Sequence, residues 1–255
     1  MKMLAIIGGS GLTHLRNLTV RERRVLHTPY GEPSAPMVYG AVGGHDVIFL
    51  PRHGHGHTIP PHRVNYQANL WALKECGASH VIAVNAVGAI RLSLVPGSLV
   101  LPDQIIDYTY GRAHTFFGSS PEPVTHVDFT HPYCEALREV LRDGAARAGL
   151  ELASGATYAA TQGPRFETVA EIRRLERDGA DIVGMTGMPE AGLAREVGLC
   201  YASLAVVANF AAGKTAGEID LRTIERYLET GMSQVRSLLE EAIPRLYDPA
   251  SLPEA

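Results

Sequence analysis

Leu4-Ala-Ile-Ile-Gly-Gly-Ser-Gly11 is a short apolar run that ends on three glycines and a serine. A run of that length closed by glycine reads as a buried strand followed by a tight turn. Short apolar, β-branched runs recur at Val47-Ile-Phe-Leu50, Val81-Ile-Ala-Val84, Leu99-Val-Leu101 and 202–208, and read as buried strands too. Between these runs, Val64, Ala68, Trp71 and Ala72 share one helical face. So do Cys134, Leu137, Val140 and Leu141, and later Ile224, Leu228, Met232, Val235 and Leu239. Asp220 stands where it can cap the last of these helices. Strands alternating with amphipathic helices predict an α/β fold with a mixed, mostly parallel central sheet flanked by helices. No Pro-, Gly- or Ser-rich linker divides the chain and no segment repeats. Residues 1–248 therefore read as a single domain and 249–255 as a frayed tail. The stretch 110–131 reads as a long loop with a functional or interfacial task.

The composition is that of a packed domain: 255 residues, 45% hydrophobic and 20% charged, which excludes disorder as the main state. With 23 basic and 27 acidic residues the net charge is −4, against the basic excess usual for nucleic-acid binders. The three cysteines, Cys76, Cys134 and Cys200, are odd in number and far apart. They are expected to form no disulfide framework, which points to a reducing compartment. No apolar run approaches the ~18–20 residues that cross a bilayer, and Met3 to Ile7 is too short for a signal-peptide core. The expectation is a cytoplasmic protein with neither membrane nor nucleic-acid partners.

Six motifs fall where strands end, the edge at which open α/β sheets place ligands. Gly8-Gly-Ser-Gly11 is either a tight turn or an anion cradle of backbone N–H groups with the Ser10 hydroxyl added. It is a poor dinucleotide fingerprint, because His14 stands where a third glycine is needed. Arg52-His-Gly-His-Gly-His57 offers a guanidinium fork and an imidazole, Arg52 and His53, to an oxyanion. A metal site and a structural loop are the other readings, and 52–63 contains no acidic partner for a metal. Asn85-Ala86-Val-Gly88 follows the third strand. In Gly163-Pro-Arg-Phe-Glu167 an aromatic beside a carboxylate can clamp a planar ring and accept its N–H; the plain reading is a proline turn before a helix. Gly184-Met185-Thr186-Gly-Met-Pro-Glu190 brings a hydroxyl to a helix start, and Ala208-Asn209-Phe210 ends the last strand. Together they describe a site with oxyanion, hydroxyl and ring-binding parts.

Over nearly its whole length the chain resembles the purine nucleoside phosphorylase and methylthioadenosine phosphorylase family of the trimeric type. The most specific stretches are Arg52-His-Gly with His57-Thr-Ile, 64–75, 163–171 and 179–190. The resemblance implies reversible phosphorolysis, in which phosphate attacks C1′ of a purine nucleoside. It implies a homotrimer, and no metal or organic cofactor, with inorganic phosphate as co-substrate. By the same resemblance Ser10, Arg52, His53, Asn85, Ala86 and Thr186 belong to the phosphate site. Phe166 and Met185 pack on base and ribose. Position 209 meets the purine at N7 and its 6-substituent. His126 reaches the neighbouring subunit's 5′ pocket, and Leu221 and Ile224 line that pocket.

Methylthioadenosine enzymes of this family carry aspartate at position 209 and again two residues on. This chain has Asn209 and Ala211. Enzymes that use inosine and guanosine have asparagine at the first place and a glutamate after the stacking phenylalanine, as here with Glu167. The Asn209 amide can donate to N7 or O6, and Glu167 can accept from the N1–H that neutral adenine lacks. Asn209 and Glu167 are therefore the expected catalytic pair of a 6-oxopurine site. The remaining pattern resembles the methylthioadenosine branch, whose 5′ pocket is apolar. The combination implies S-methyl-5′-thioinosine as substrate. The alternatives are a general inosine/guanosine phosphorylase, a methylthioadenosine phosphorylase, a non-catalytic nucleotide-binding protein and a metal-dependent hydrolase.

Overall fold

The computed structural model describes residues 3–12, 17–118, 125–217 and 219–248. The expected tail 249–255, and 119–124 of the long loop, lie outside them. In chain order the elements are β1 (Leu4–Gly8), β2 (Thr19–Arg24), β3 (Met37–Val42), β4 (His45–Pro51), α1 (Tyr66–Glu75), β5 (His80–Ala89), β6 (Leu99–Leu101), β7 (Gln104–Asp107) and α2 (Glu135–Arg147). They continue with β8 (Leu152–Ser154), β9 (Thr157–Ala160), α3 (Val169–Arg177), β10 (Ile182–Gly184), α4 (Gly187–Glu196), β11 (Cys200–Phe210) and α5 (Leu221–Tyr247). All the strands join one sheet in the order β2-β3-β4-β1-β5-β10-β9-β7, and β11 branches from β5 toward β6 and β8. The β1–β4, β1–β5, β5–β11, β9–β10, β7–β9 and β6–β8 pairings are parallel. The sheet is thus mixed and mostly parallel, as expected.

Period-two alternation sends successive strand residues to opposite layers. Leu4, Ile6, Ile82 and Val84 bury against α2 and α5, in a core with Leu137, Val235 and Leu239. Ala5, Ile7, Val81 and Ala83 face the other way, onto Leu70 and Leu73 of α1 and Ala191 and Ala194 of α4. Asp220 caps α5 as expected, accepting from the N–H groups of Arg222 and Thr223.

The feature that positions the site is a split beside β5. Its first half pairs with β1, Leu4 to Ile7 against His80 to Ala83. Its far end pairs with β10, Ile182 and Val183 against Ala89 and Gly88. Because β1 runs parallel and β10 antiparallel, their carboxyl ends point toward each other across the unpaired edge of Val84–Val87. Along the opposite edge β11 stays in register until one extra residue, Ala208, falls between Val207 and Asn209. Such a bulge bends a strand and re-aims its side chains.

The cysteine expectation is corrected. Cys134, the N-cap of α2, and Cys200, the first residue of β11, form a disulfide with their Cα atoms 5.2 Å apart. The Cys134 N–H donates to Tyr201 O at 2.8 Å, so the backbone pairing places the two side chains together. Cys76 is the free cysteine.

Candidate active site

A cavity of about 600 Å³ opens at the split. Of the residues expected at the site, all but Asn85 and His126 line it. Its floor begins at the turn after β1. There Gly9 must be glycine, because a Cβ would stand 2.5 Å from Val84 O and 2.8 Å from an Arg52 Nη1. Its missing side chain is the passage through which Arg52 crosses to β5, and Ser10 follows on the cavity wall.

Arg52 leaves the end of β4 fully buried. Its Nε and Nη2 donate to the two carboxylate oxygens of Glu190 at 2.7 and 2.8 Å, and its Nη1 to Val84 O at 3.0 Å. The fork expected to meet an oxyanion is therefore closed on Glu190. Of five N–H groups, one on each terminal nitrogen remains. Burial opposes the guanidinium's charge, but the Glu190 carboxylate outweighs it and holds the Arg52 pKa above its ordinary value. Glu190, itself 0% exposed, also accepts from the Tyr201 hydroxyl at 2.9 Å.

His53 is buried next to this pair. Its Nδ1 lies 2.8 Å from Ile59 O, a group that can only accept. The ring proton therefore sits on Nδ1, and Nε2 is left as an acceptor. Desolvation, and then the charge of Arg52, push the His53 pKa down to about 4, so the ring is neutral at neutral pH. The His57 ring lies against it, tilted by 37°, with centroids 4.4 Å apart. Among the described residues, no three His, Cys, Asp or Glu side chains gather as metal ligands would. Thr186, on the turn after β10, receives a hydrogen bond at 2.8 Å from Asn85 Nδ2, and Asn85 Oδ1 accepts from Ser203 at 2.9 Å. Asn85 itself is buried and does not line the cavity. Both ends of its amide are engaged inside the sheet, and it stands behind Thr186.

Other parts of the cavity lining are mostly apolar. Phe166 and Met185 line the cavity with Val87, Gly88 and Val183. Gly163 adopts φ +60°, and a Cβ there would stand 2.4 Å from the Met185 sulfur, so glycine is required for the two segments to meet. Glu167 Oε1 accepts from Thr161 Oγ1 at 2.7 Å, which leaves Oε2 for a donor in the cavity. Asn209 Nδ2 donates to Phe210 O at 2.7 Å and keeps a second N–H. Ala211 is buried beside it, in a cluster with Ile90, Ile172 and Val183. Toward the mouth, Leu221, Ile224 and Leu228 of α5 and Ile219 form an apolar wall. His126 is exposed, and the structure does not bring it to this cavity.

The phosphorylase superfamily model matches residues 3–244. This chain belongs to that superfamily. The phosphorylase is 53% identical over 243 residues, covering 95% of its length and 99% of the relative's, to a protein of Pseudomonas syringae pv. tomato named "Probable S-methyl-5'-thioinosine phosphorylase". It is 44% identical over 249 residues, 96% of its length and 93% of the relative's, to the 6-oxopurine nucleoside phosphorylase of Pyrococcus furiosus. Among solved structures, methylthioadenosine phosphorylase from Schistosoma mansoni in complex with adenine superposes with a TM-score of 0.92 at 36% identity, covering 96% of this chain and 91% of that one. The phosphorylase is thus an enzyme of the pentosyl-transferring kind, on a nucleoside phosphorylase fold.

Sequence reasoning missed Glu190 as the phosphorylase's buried counter-ion. Its place inside Met-Pro-Glu190 at a helix start reads as an ordinary first-turn acid, and only the tertiary fold brings it to Arg52. It also missed Ile219 and Leu228. The latter was on the α5 apolar face, but a core position and a cavity wall look alike in sequence.

Proposed function

We propose that the enzyme catalyses reversible phosphorolysis of S-methyl-5′-thioinosine to hypoxanthine and 5-methylthioribose 1-phosphate. The observation that carries this reading is the placement of Asn209 and Glu167 at one end of a cavity whose mouth is walled by Leu221 and Ile224. A 6-oxopurine presents N7, O6 and N1–H to the first pair. Glu167 Oε2 accepts from N1–H, and the spare Asn209 N–H donates toward N7 or O6 as negative charge builds on the leaving base. Such preorganised donors lower the barrier without covalent chemistry. Adenine would leave Glu167 without its donor, a mismatch that costs about 1–3 kcal/mol.

Phosphate is the co-substrate, held by Ser10, the two spare N–H groups of Arg52, His53, Ala86 and Thr186, with Asn85 behind Thr186. His53 presents a lone pair at Nε2, which suits the P–OH of hydrogen phosphate. No metal or organic cofactor takes part. The active form is a homotrimer, in which His126 of one subunit completes the 5′ pocket of the next. Two exposed side chains support that reading: Leu221 of the cavity wall is 63% exposed, and Tyr110, which begins the long loop, is 70% exposed. A cytoplasmic location is proposed because a free nucleoside and inorganic phosphate are the substrates; cell fractionation tests it.

The deciding experiment is a phosphate-dependent assay of methylthioinosine, methylthioadenosine, inosine and adenosine side by side. Methylthioinosine should give the highest kcat/KM, and base release should require phosphate or arsenate. The second reading, a general 6-oxopurine nucleoside phosphorylase, is favoured by the Pyrococcus relative; equal use of inosine and methylthioinosine would select it.

A further inference from the structure

Arg112 has no part in the roles given above, yet it is the most heavily engaged side chain near the site. Its Nη1 donates to Met185 O at 2.9 Å and Met188 O at 2.6 Å. Its Nη2 donates to Gln162 O at 2.8 Å and Thr161 O at 3.2 Å, and its Nε to Gln162 Oε1 at 3.2 Å. The guanidinium also lies 5.5 Å from the Tyr66 ring centroid. Nη1 also donates to the Tyr66 hydroxyl at 3.4 Å; the other acceptors are carbonyl and amide oxygens, so the charge is spent on dipoles rather than on a carboxylate.

The carbonyls belong to two separate pieces of chain. Thr161 and Gln162 follow β9 and lead into the Gly163–Glu167 turn. Met185 and Met188 follow β10. Between them these pieces carry the ring-facing groups, because Thr161 fixes Glu167, Gly163 packs on Met185, and Met185 itself lines the cavity. Without a cation between them, oxygen dipoles pointing toward one centre repel. A planar fork of five donors can satisfy both pieces at once; an ammonium, a compact point charge, cannot span them.

We propose that Arg112 is a positioning residue for base recognition, setting the spacing between the Glu167 turn and the Met185 wall. This rests on the proposed purine site. It leaves most of the phosphate half untouched, since Ser10, Arg52, His53 and Ala86 come from the ends of β1, β4 and β5, to which Arg112 makes none of these bonds.

The test is Arg112→Met, with Arg112→Lys as the milder change. Hypoxanthine binding is measured by calorimetry without phosphate, and the KM values for nucleoside and for phosphate are measured separately. Arg112→Met should weaken hypoxanthine and raise the nucleoside KM by about ten- to a hundredfold, with the phosphate KM within about threefold of wild type; Arg112→Lys should fall between. Unchanged base affinity in a folded variant overturns the proposal, as does an equal rise in both KM values. If neither variant folds, Arg112 is a residue of the fold and the proposal is likewise wrong. Wild type that binds adenine and not hypoxanthine would sink the 6-oxopurine reading alone, and the Arg112 comparison is then run with adenine.

Discussion

Arg52 and Glu190 hold each other through two parallel hydrogen bonds, 2.7 and 2.8 Å long, with neither side chain exposed. Removing one member of such a pair leaves a buried charge alone, which costs about 3–5 kcal/mol. Glu190→Ala should therefore lower thermal stability sharply. Glu190→Gln keeps the shape and loses a charge, so it should fold and bind phosphate less well, because Arg52 is no longer held in one orientation. Arg52→Ala should show both defects together. Thermal unfolding and the phosphate KM of the three variants check this; a Glu190→Gln enzyme with unaltered phosphate KM would refute it.

Base choice should respond to Asn209→Asp with Ala211→Asp. A carboxyl group at 209 can share a proton with N7 and accept from an N6 amine, while its charge repels O6. Ala211 is buried, so a carboxylate there would raise the pKa of its neighbour and keep it protonated for donation. The methylthioadenosine to methylthioinosine ratio of kcat/KM should rise by about ten- to a hundredfold. Glu167 would still lack its N1–H partner, so the switch should be partial. A wild type that already prefers methylthioadenosine contradicts the whole assignment of Asn209 and Glu167.

Assembly is tested at His126. Sedimentation should show a trimer, and His126→Ala should impair turnover or nucleoside KM while leaving the unfolding temperature unchanged. A fully active monomer would end this reading.

The neutral, buried His53 links stability to pH. Its pKa is about 4 in the folded chain against 6.5 for a free imidazole, so between those values the unfolded state binds a proton that the native state does not. Stability should consequently fall as pH drops from 6.5 toward 4, by about 3 kcal/mol at most from this residue. Denaturant midpoints across that range, compared between wild type and His53→Gln, should show a shallower slope in the variant.

Reduction of Cys134–Cys200 should also destabilise the enzyme. The bond closes a loop with a sequence separation of 66, for which chain entropy suggests about 4 kcal/mol. Cys134→Ser and reductant-treated wild type should unfold at similarly lowered temperatures, whereas Cys76→Ser should not.

What could be read in advance was whatever is written locally. The short apolar runs located β1, β4, β5 and β11, and Asp220 announced the start of α5. Most residues that line the cavity were legible because their motifs follow strands. What depended on distant pairing was not legible. That β1 and β10 end face to face beside β5 follows from one strand running antiparallel, which the short Ile182–Gly184 run does not disclose. Glu190 reaching Arg52, Asn85 turning inward to Thr186 and Ser203, and Cys134 meeting Cys200 are likewise facts of the assembled sheet.

The extra residue in β11 has an evolutionary meaning. With Ala208 out of register, two consecutive residues, Ala208 and Asn209, both face the cavity, which a regular strand forbids. The extra residue has no partner of its own, since Val207 pairs with Val87 and Asn209 already with Gly88, so deleting it would leave the later pairing in place and take one residue from the cavity wall. Exchanging the residue at 209 leaves the register alone. Divergence of substrate preference on this scaffold is therefore open to point substitution at the strand's end, where a residue faces the cavity without any change in how the sheet pairs.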